Sequence, residues 1–173
     1  MTKTKPVSPK ITRKKRPFKQ HATRLKVGEK APLFESKDEN GKTFNNQSFQ
    51  GQPYILYFYP KDNTSTCIKQ ACSIRDDFQL LKKHNIQLLG VSADNEISHQ
   101  KFIAKYQLPF SLISDTDRKL IDAFDVWGKK MLAGRKYFGI VRTTFLINDD
   151  GIIQKIITKV NSADHVKQIL GLI

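Results

Sequence analysis

The run Tyr54-Ile55-Leu56-Tyr57-Phe58-Tyr59 is apolar without interruption, the mark of a strand buried on both faces. Gln87-Leu88-Leu89-Gly90-Val91-Ser92 reads the same way, and Phe110-Ser111-Leu112-Ile113 is a shorter strand. Between them the period changes. Ile68, Ala71, Ile74, Phe78 and Leu81 recur at three- and four-residue spacing, which predicts a helix from about Thr66 to His84 with one apolar face. A second helix is expected over Glu96 to Tyr106, capped by Asp94 or Asn95, and a short one over Asp117 to Phe124. Asn40-Gly41 and Asp149-Asp150-Gly151 are hairpin turns, the latter between Thr143–Asn148 and Ile152–Thr158. Residues 125–139, rich in Gly and Lys around Trp127, show no clear period and are expected to be irregular. A helix over Ser162 to Leu170 closes the chain.

Strands alternating with helices give an α/β sheet, and the last hairpin adds antiparallel strands to it. The expected fold is α/β and thioredoxin-like, with a central mixed sheet flanked by helices. In open sheets of this kind, sites form at the carboxyl ends of strands.

Composition changes this picture at one place. Of the formal net charge of +14, residues 1–26 carry +10 with no acid, and residues 27–173 carry only +4. The chain is therefore expected to divide into a basic, disordered tail, 1–26, and a mixed-charge domain, 27–173. The cluster Arg13-Lys14-Lys15-Arg16 would serve as a localisation signal or a weak polyanion contact. No apolar run approaches the ~20 residues of a membrane helix, and no signal-peptide pattern is visible. Two cysteines are too few for a disulfide scaffold, which favours a reducing, cytoplasmic compartment. They also offer no zinc ligand set.

Both cysteines lie where the first buried strand gives way to the first long helix. Cys67 falls at the helix start, a position for a reactive thiolate. Taking a free thiol from pKa ~8.5 to ~6 requires about 3.4 kcal/mol. A helix N-terminus supplies ~0.3–1 kcal/mol, at best ~2. A cation or several hydrogen bonds must supply the rest. Thr64, three residues upstream, can reach the sulfur or a bound oxygen. Arg142, directly before the strand 143–148, is the candidate cation. Pro60 ends the strand. Cys72 lies five positions after Cys67, which on an intact helix means ~7.5 Å of rise and ~140° of rotation. That separation exceeds the ~7 Å limit between Cα atoms for a disulfide. Cys72 is therefore either a core residue or a partner that Cys67 meets only after the first turns unwind. The histidines show no ligand-like spacing to the cysteines.

Pro60-x-x-x-Thr64-x-x-Cys67, with Arg142 before Thr143-Thr144-Phe145, resembles the peroxiredoxin active-site pattern. Cys72 five positions on, with Tyr57-Phe58-Tyr59-Pro60-Lys61-Asp62-Asn63-Thr64, Gly90-Val91-Ser92 and Trp127-Gly128, is similar to the Q-type group, the bacterioferritin comigratory proteins. The chain departs from the group's usual wording at Ser65-Thr66, where Pro-Gly is usual, at Gln70, where Glu is frequent, and in its basic tail. The resemblance implies a cofactor-free peroxidase that reduces hydrogen peroxide and organic hydroperoxides. It assigns the peroxidatic role to Cys67, hydrogen bonding of sulfur and substrate to Thr64, thiolate and transition-state stabilisation to Arg142, pocket shielding to Pro60 and the resolving role to Cys72. It further implies a Cys67–Cys72 disulfide reduced by thioredoxin, and a monomer. Two other readings fit parts of the sequence: a thioredoxin-like dithiol oxidoreductase, although its cysteines would stand closer, and a polyanion-binding protein acting through the tail.

Overall fold

The computed structural model describes residues 18–171. A five-stranded sheet organises the domain. It contains β3 (Tyr54–Phe58), β4 (Gln87–Ser92), β5 (Leu112–Ser114), β8 (Thr143–Ile147) and β9 (Ile153–Ile157), in the order β5-β4-β3-β8-β9. β3, β4 and β5 run parallel, whereas β8 and β9 are antiparallel to their neighbours. β1 (Glu35–Lys37) and β2 (Thr43–Asn45) form the expected hairpin around Gly41, whose φ of +78° suits glycine. Gly151, at φ +77°, turns β8 into β9 in the same way.

β3 lies at the centre because every residue in it is apolar and buried. Its side chains alternate between faces, so it feeds two cores. Ile55 and Tyr57 join Cys67, Ala71 and Ile74 from α1 (Ser65–Asp76), Phe78 and Leu81 from α2 (Phe78–Lys83), and Phe102 from α3 (Glu96–Tyr106). Val166 and Ile169 from α5 (His165–Leu170) complete this layer. Leu56 and Phe58 pack on the other side with Leu120 and Ile121 of α4 (Lys119–Ala123), Phe124 and Phe145. Gly90, paired with Tyr57 across β3 and β4, has no room for a Cβ: it would sit 2.6 Å from the Tyr57 ring and from Leu112.

Four expectations change in detail. The helix expected over 66–84 is two helices, broken at Asp77, whose N–H bonds to Arg75 and Ser73 carbonyls. The apolar face stays in phase across the break, which is why periodicity does not reveal it. Residues 125–139 are not irregular. They contain most of an antiparallel hairpin, β6 (Trp127–Leu132) and β7 (Arg135–Ile140), turned by Ala133 and Gly134 at φ +48° and +78°. Its outer half is exposed on both faces, so no buried stripe marks it in the sequence, and Ala-Gly is a weak turn signal. The closing helix starts at His165 rather than Ser162.

The fourth concerns the tail. Residues 18–26 run along the domain. The His21 backbone N–H donates to the Lys129 carbonyl (3.0 Å) and Thr23 Oγ1 to the Phe124 carbonyl (2.8 Å). Arg24 pairs with Asp125 (3.0 Å). Gly128 leaves space only for the His21 ring. These are polar and backbone contacts, which a composition argument about apolar content does not register. Arg13-Lys14-Lys15-Arg16 lies outside the described residues.

Candidate active site

The loop from β3 to α1 carries the site, and a buried charge network fixes it. Asp62 is buried and accepts hydrogen bonds from Tyr59 Oη (2.7 Å), Ser98 Oγ (2.7 Å) and His99 Nδ1 (2.8 Å). His99 Nε2 faces the Ile113 carbonyl (3.1 Å). Asp62 and the Ile113 carbonyl thus face the two ring nitrogens of His99. Burial alone would raise the Asp62 pKa. The hydrogen bonds from His99, Ser98 and Tyr59 and the His99 charge outweigh it, so the carboxyl is held below its ordinary value. The Asp62 N–H also donates to Asp94 Oδ2 (2.9 Å). The chain between Pro60 and Thr64 is thus pinned to α3 and the end of β4.

Thr64 is the N-cap residue of α1, with extended backbone (φ −80°, ψ 147°). Its hydroxyl donates to the Lys61 carbonyl (3.2 Å) and makes no bond to the sulfur. Cys67 follows in the first turn, buried among Tyr57, Ala71 and Ile74, and is a free thiol. Arg142, between β7 and β8, reaches it: Nη2 donates to Cys67 Sγ at 3.1 Å. The two side chains, 75 residues apart in the chain, are thus in contact. The β3–β8 register makes this possible, because it sets Phe58 opposite Thr143 and so brings both strand ends to the same edge.

Arg142 is itself held. Its Nη1 donates to Gln70 Oε1. Gln70, fully buried, donates from Nε2 to His165 Nδ1 (3.0 Å), and His165 Nε2 bonds Thr144 Oγ1 (3.0 Å). Burial, reinforced by the Arg142 charge, lowers the His165 pKa to about 4, so this imidazole is neutral. Lys130 on β6 also borders the site. Burial lowers its pKa, the Arg142 charge adds to this, and Cys67 opposes it. Its ammonium donates to the Ile140 carbonyl (2.6 Å). The Tyr57 phenol, raised well above its usual pKa by burial and then by Cys67, stays protonated.

A cavity of about 510 Å³ opens beside this arrangement, lined by Pro60, Lys61, Trp127, Lys130, Tyr137 and Phe138 among others. Cys72 is half-buried, five positions along the same helix as Cys67, and also a free thiol. The structure thus brings Cys67, Arg142 and Gln70 into contact, and places Thr64 and Pro60 on the same loop. It keeps Cys72 apart. Sequence reasoning missed His165, Thr144, Lys130 and the Asp62–His99 pair as parts of the site. A histidine opening a helix whose Val166 and Ile169 face the core was the available signal for His165.

The AhpC/TSA family matches residues 27–156. The chain belongs to the peroxiredoxin family, in its Q-type (bacterioferritin comigratory protein) group. It is 41% identical to Peroxiredoxin Bcp of Bacillus subtilis over 146 residues, which cover 84% of this chain and 93% of that one. It is 40% identical to Peroxiredoxin Bcp of Escherichia coli over 147 residues, covering 85% and 94%. The solved structure of Xanthomonas campestris Peroxiredoxin Q superposes with a TM-score of 0.77 at 31% identity, covering 86% of this chain and 94% of that chain. A structure of the bacterioferritin comigratory protein of the same organism, described for its alkyl peroxide reduction activity, gives 0.76 at 30%, covering 87% and 96%. A peroxiredoxin is a thiol peroxidase, so this chain is an enzyme that takes peroxide substrates and needs a reductant. Among the described residues no His, Cys, Asp or Glu cluster could hold a metal, and no helix is long and apolar enough to cross a membrane.

Proposed function

We propose that this peroxiredoxin reduces hydrogen peroxide and organic hydroperoxides through Cys67, with Cys72 as the resolving thiol and thioredoxin as the reductant. The observation that carries the reading is the Arg142 guanidinium donating to the Cys67 sulfur at the start of α1. A cation in hydrogen-bond contact supplies the stabilisation that a helix terminus alone leaves short. The Cys67 thiolate attacks one peroxide oxygen. An S–O bond forms, the O–O bond breaks, and the departing oxygen leaves as water or an alcohol once it takes a proton. Arg142 and the backbone N–H groups around Thr66 and Cys67 stabilise the charge that moves onto the oxygens. Thr64, now bonded to the Lys61 carbonyl, keeps acceptor capacity for the incoming hydroperoxide, and Pro60 walls the approach. The Cys67 sulfenic acid then condenses with the Cys72 thiol, releasing water and forming a disulfide. Two thiols of thioredoxin reduce that disulfide by exchange.

Because both cysteines lie on α1, the condensation requires its first turns to unwind. The enzyme works as a monomer in the cytoplasm, and the basic residues 1–26 add a weak polyanion contact, seen as salt-dependent retention lost on deleting them. Stopped-flow mixing with hydrogen peroxide and an alkyl hydroperoxide tests the catalytic reading. Fast oxidation in wild type and in Cys72→Ser, none in Cys67→Ser, and thioredoxin-driven turnover in wild type alone is the expected set. Normal thioredoxin cycling by Cys72→Ser would remove Cys72 from the resolving role.

A further inference from the structure

The buried His165 lies one residue beyond the contacts that define a peroxide-reducing thiol, and the peroxidase cycle makes no use of it. We propose that His165 is a positioning residue whose neutral, Nε2-protonated ring fixes which end of the Gln70 amide faces Arg142, and thereby seats the guanidinium on Cys67. The inference rests on the peroxidase reading of Cys67 only for its consequence, and its geometry stands without it.

The donors and acceptors admit one consistent order. A guanidinium only donates, so the Gln70 atom facing Arg142 Nη1 must be Oε1. Gln70 Nε2 then points at His165 Nδ1, 3.0 Å away, and that nitrogen must offer a lone pair. The ring proton is left on Nε2, where it donates to Thr144 Oγ1 at 3.0 Å. The other tautomer, or a doubly protonated ring, would place an N–H against the Gln70 NH₂. The amide would have to turn over, and its NH₂ would then oppose the guanidinium. His165 is fully buried, and burial with the Arg142 charge nearby keeps the ring neutral down to about pH 4.

The same residue ties α5 to α1 twice. Besides the Gln70 bond, the His165 backbone N–H donates to Ser73 Oγ at 3.2 Å. Gln70 and Ser73 stand on either side of Cys72 in the sequence. The histidine that seats Arg142 thus also holds the segment that must unwind before Cys72 can reach Cys67. The titratable groups facing this relay are Cys67, 3.1 Å from Arg142, Lys130 on β6, within reach of the Arg142 charge, and Tyr57 on β3, whose ring lies edge-on to His165 with centroids 6.1 Å apart.

Two readouts test the relay, and neither involves peroxide. In the full chain, ¹⁵N spectra of the His165 ring at neutral pH should show the Nε2–H tautomer. Gln70→Glu, whose carboxylate only accepts, should convert it to an Nδ1-protonated ring. Separately, the pH profile of Cys67 alkylation by iodoacetamide, in a Cys72→Ser background, should move its midpoint up by about one unit in His165→Phe. An Nδ1–H or doubly protonated ring in the wild type would overturn the proposal. So would a folded His165→Phe protein whose alkylation profile matches its parent. If His165→Phe does not fold, the tautomer and its response to Gln70→Glu decide alone. A protein that gives both expected results yet consumes no peroxide would keep the relay and lose the peroxidase assignment.

Discussion

Arg142 makes two bonds from one fork, to Gln70 Oε1 through Nη1 and to Cys67 Sγ through Nη2. An ammonium on a flexible stem cannot reproduce that pair of directions. Arg142→Lys should therefore lower the second-order rate of peroxide reduction by about 100-fold, the scale for losing one aligned donor to a developing charge. A stopped-flow rate within a factor of a few of wild type would assign the stabilisation elsewhere. His165 gives a second prediction at this scale. Its folded pKa, about 4, lies below the ordinary 6.5. As pH falls from 6.5 to 4 the unfolded state takes up a proton that the folded state refuses, so stability is full above 6.5 and is lost progressively toward 4. The difference is worth about 3 kcal/mol. Urea midpoints should fall between pH 7 and pH 4.5 by more in wild type than in His165→Phe. Equal slopes would mean that the buried ring is not the group refusing the proton.

At the scale of elements, α1 carries both thiols and a conflict. Intact, it holds Cys67 in contact with Arg142; the proposed disulfide with Cys72 needs it unwound. Amide exchange of residues 64–76 should be slow in the reduced protein and fast once the disulfide has formed. Equal protection in the two forms would contradict the unwinding. The start of α1 was legible in sequence because an apolar strand, a proline and a polar loop precede a clear helical period. The hairpin of β6 and β7 was not, because its outer half buries neither face and so leaves no period-2 stripe. The break at Asp77 was hidden for the opposite reason: Ile74, Phe78 and Leu81 remain on one buried face through it. Arg142 could be proposed from its place before β8, whereas Gln70 and His165 required a fold, since 95 residues of chain separate two atoms 3.0 Å apart.

For the whole molecule, the sheet order β5-β4-β3-β8-β9 is what brings the start of α1 and the start of β8 to one edge. Residues 18–26 brace that edge from outside, through Phe124, Asp125 and Lys129. Composition alone placed this stretch in a tail, since its contacts are mainly hydrogen bonds and one fitted ring, with Leu25 packed against the core. A chain that begins at residue 27 should melt several degrees below one that begins at residue 18, as expected for losing about 1 kcal/mol. Identical melting of both truncations would show that the segment contributes no stability. The central claim is that one peroxide oxidises Cys67 and that Cys72 then closes a disulfide across an unwound helix. Mass analysis of the intact chain and its peptides after one equivalent of hydrogen peroxide tests it most directly. Wild type should lose two hydrogens and yield a Cys67–Cys72 cross-linked peptide, while Cys72→Ser should retain one added oxygen on Cys67. A wild-type chain that stops at the singly oxygenated Cys67, or that is oxidised first at Cys72, would contradict the account.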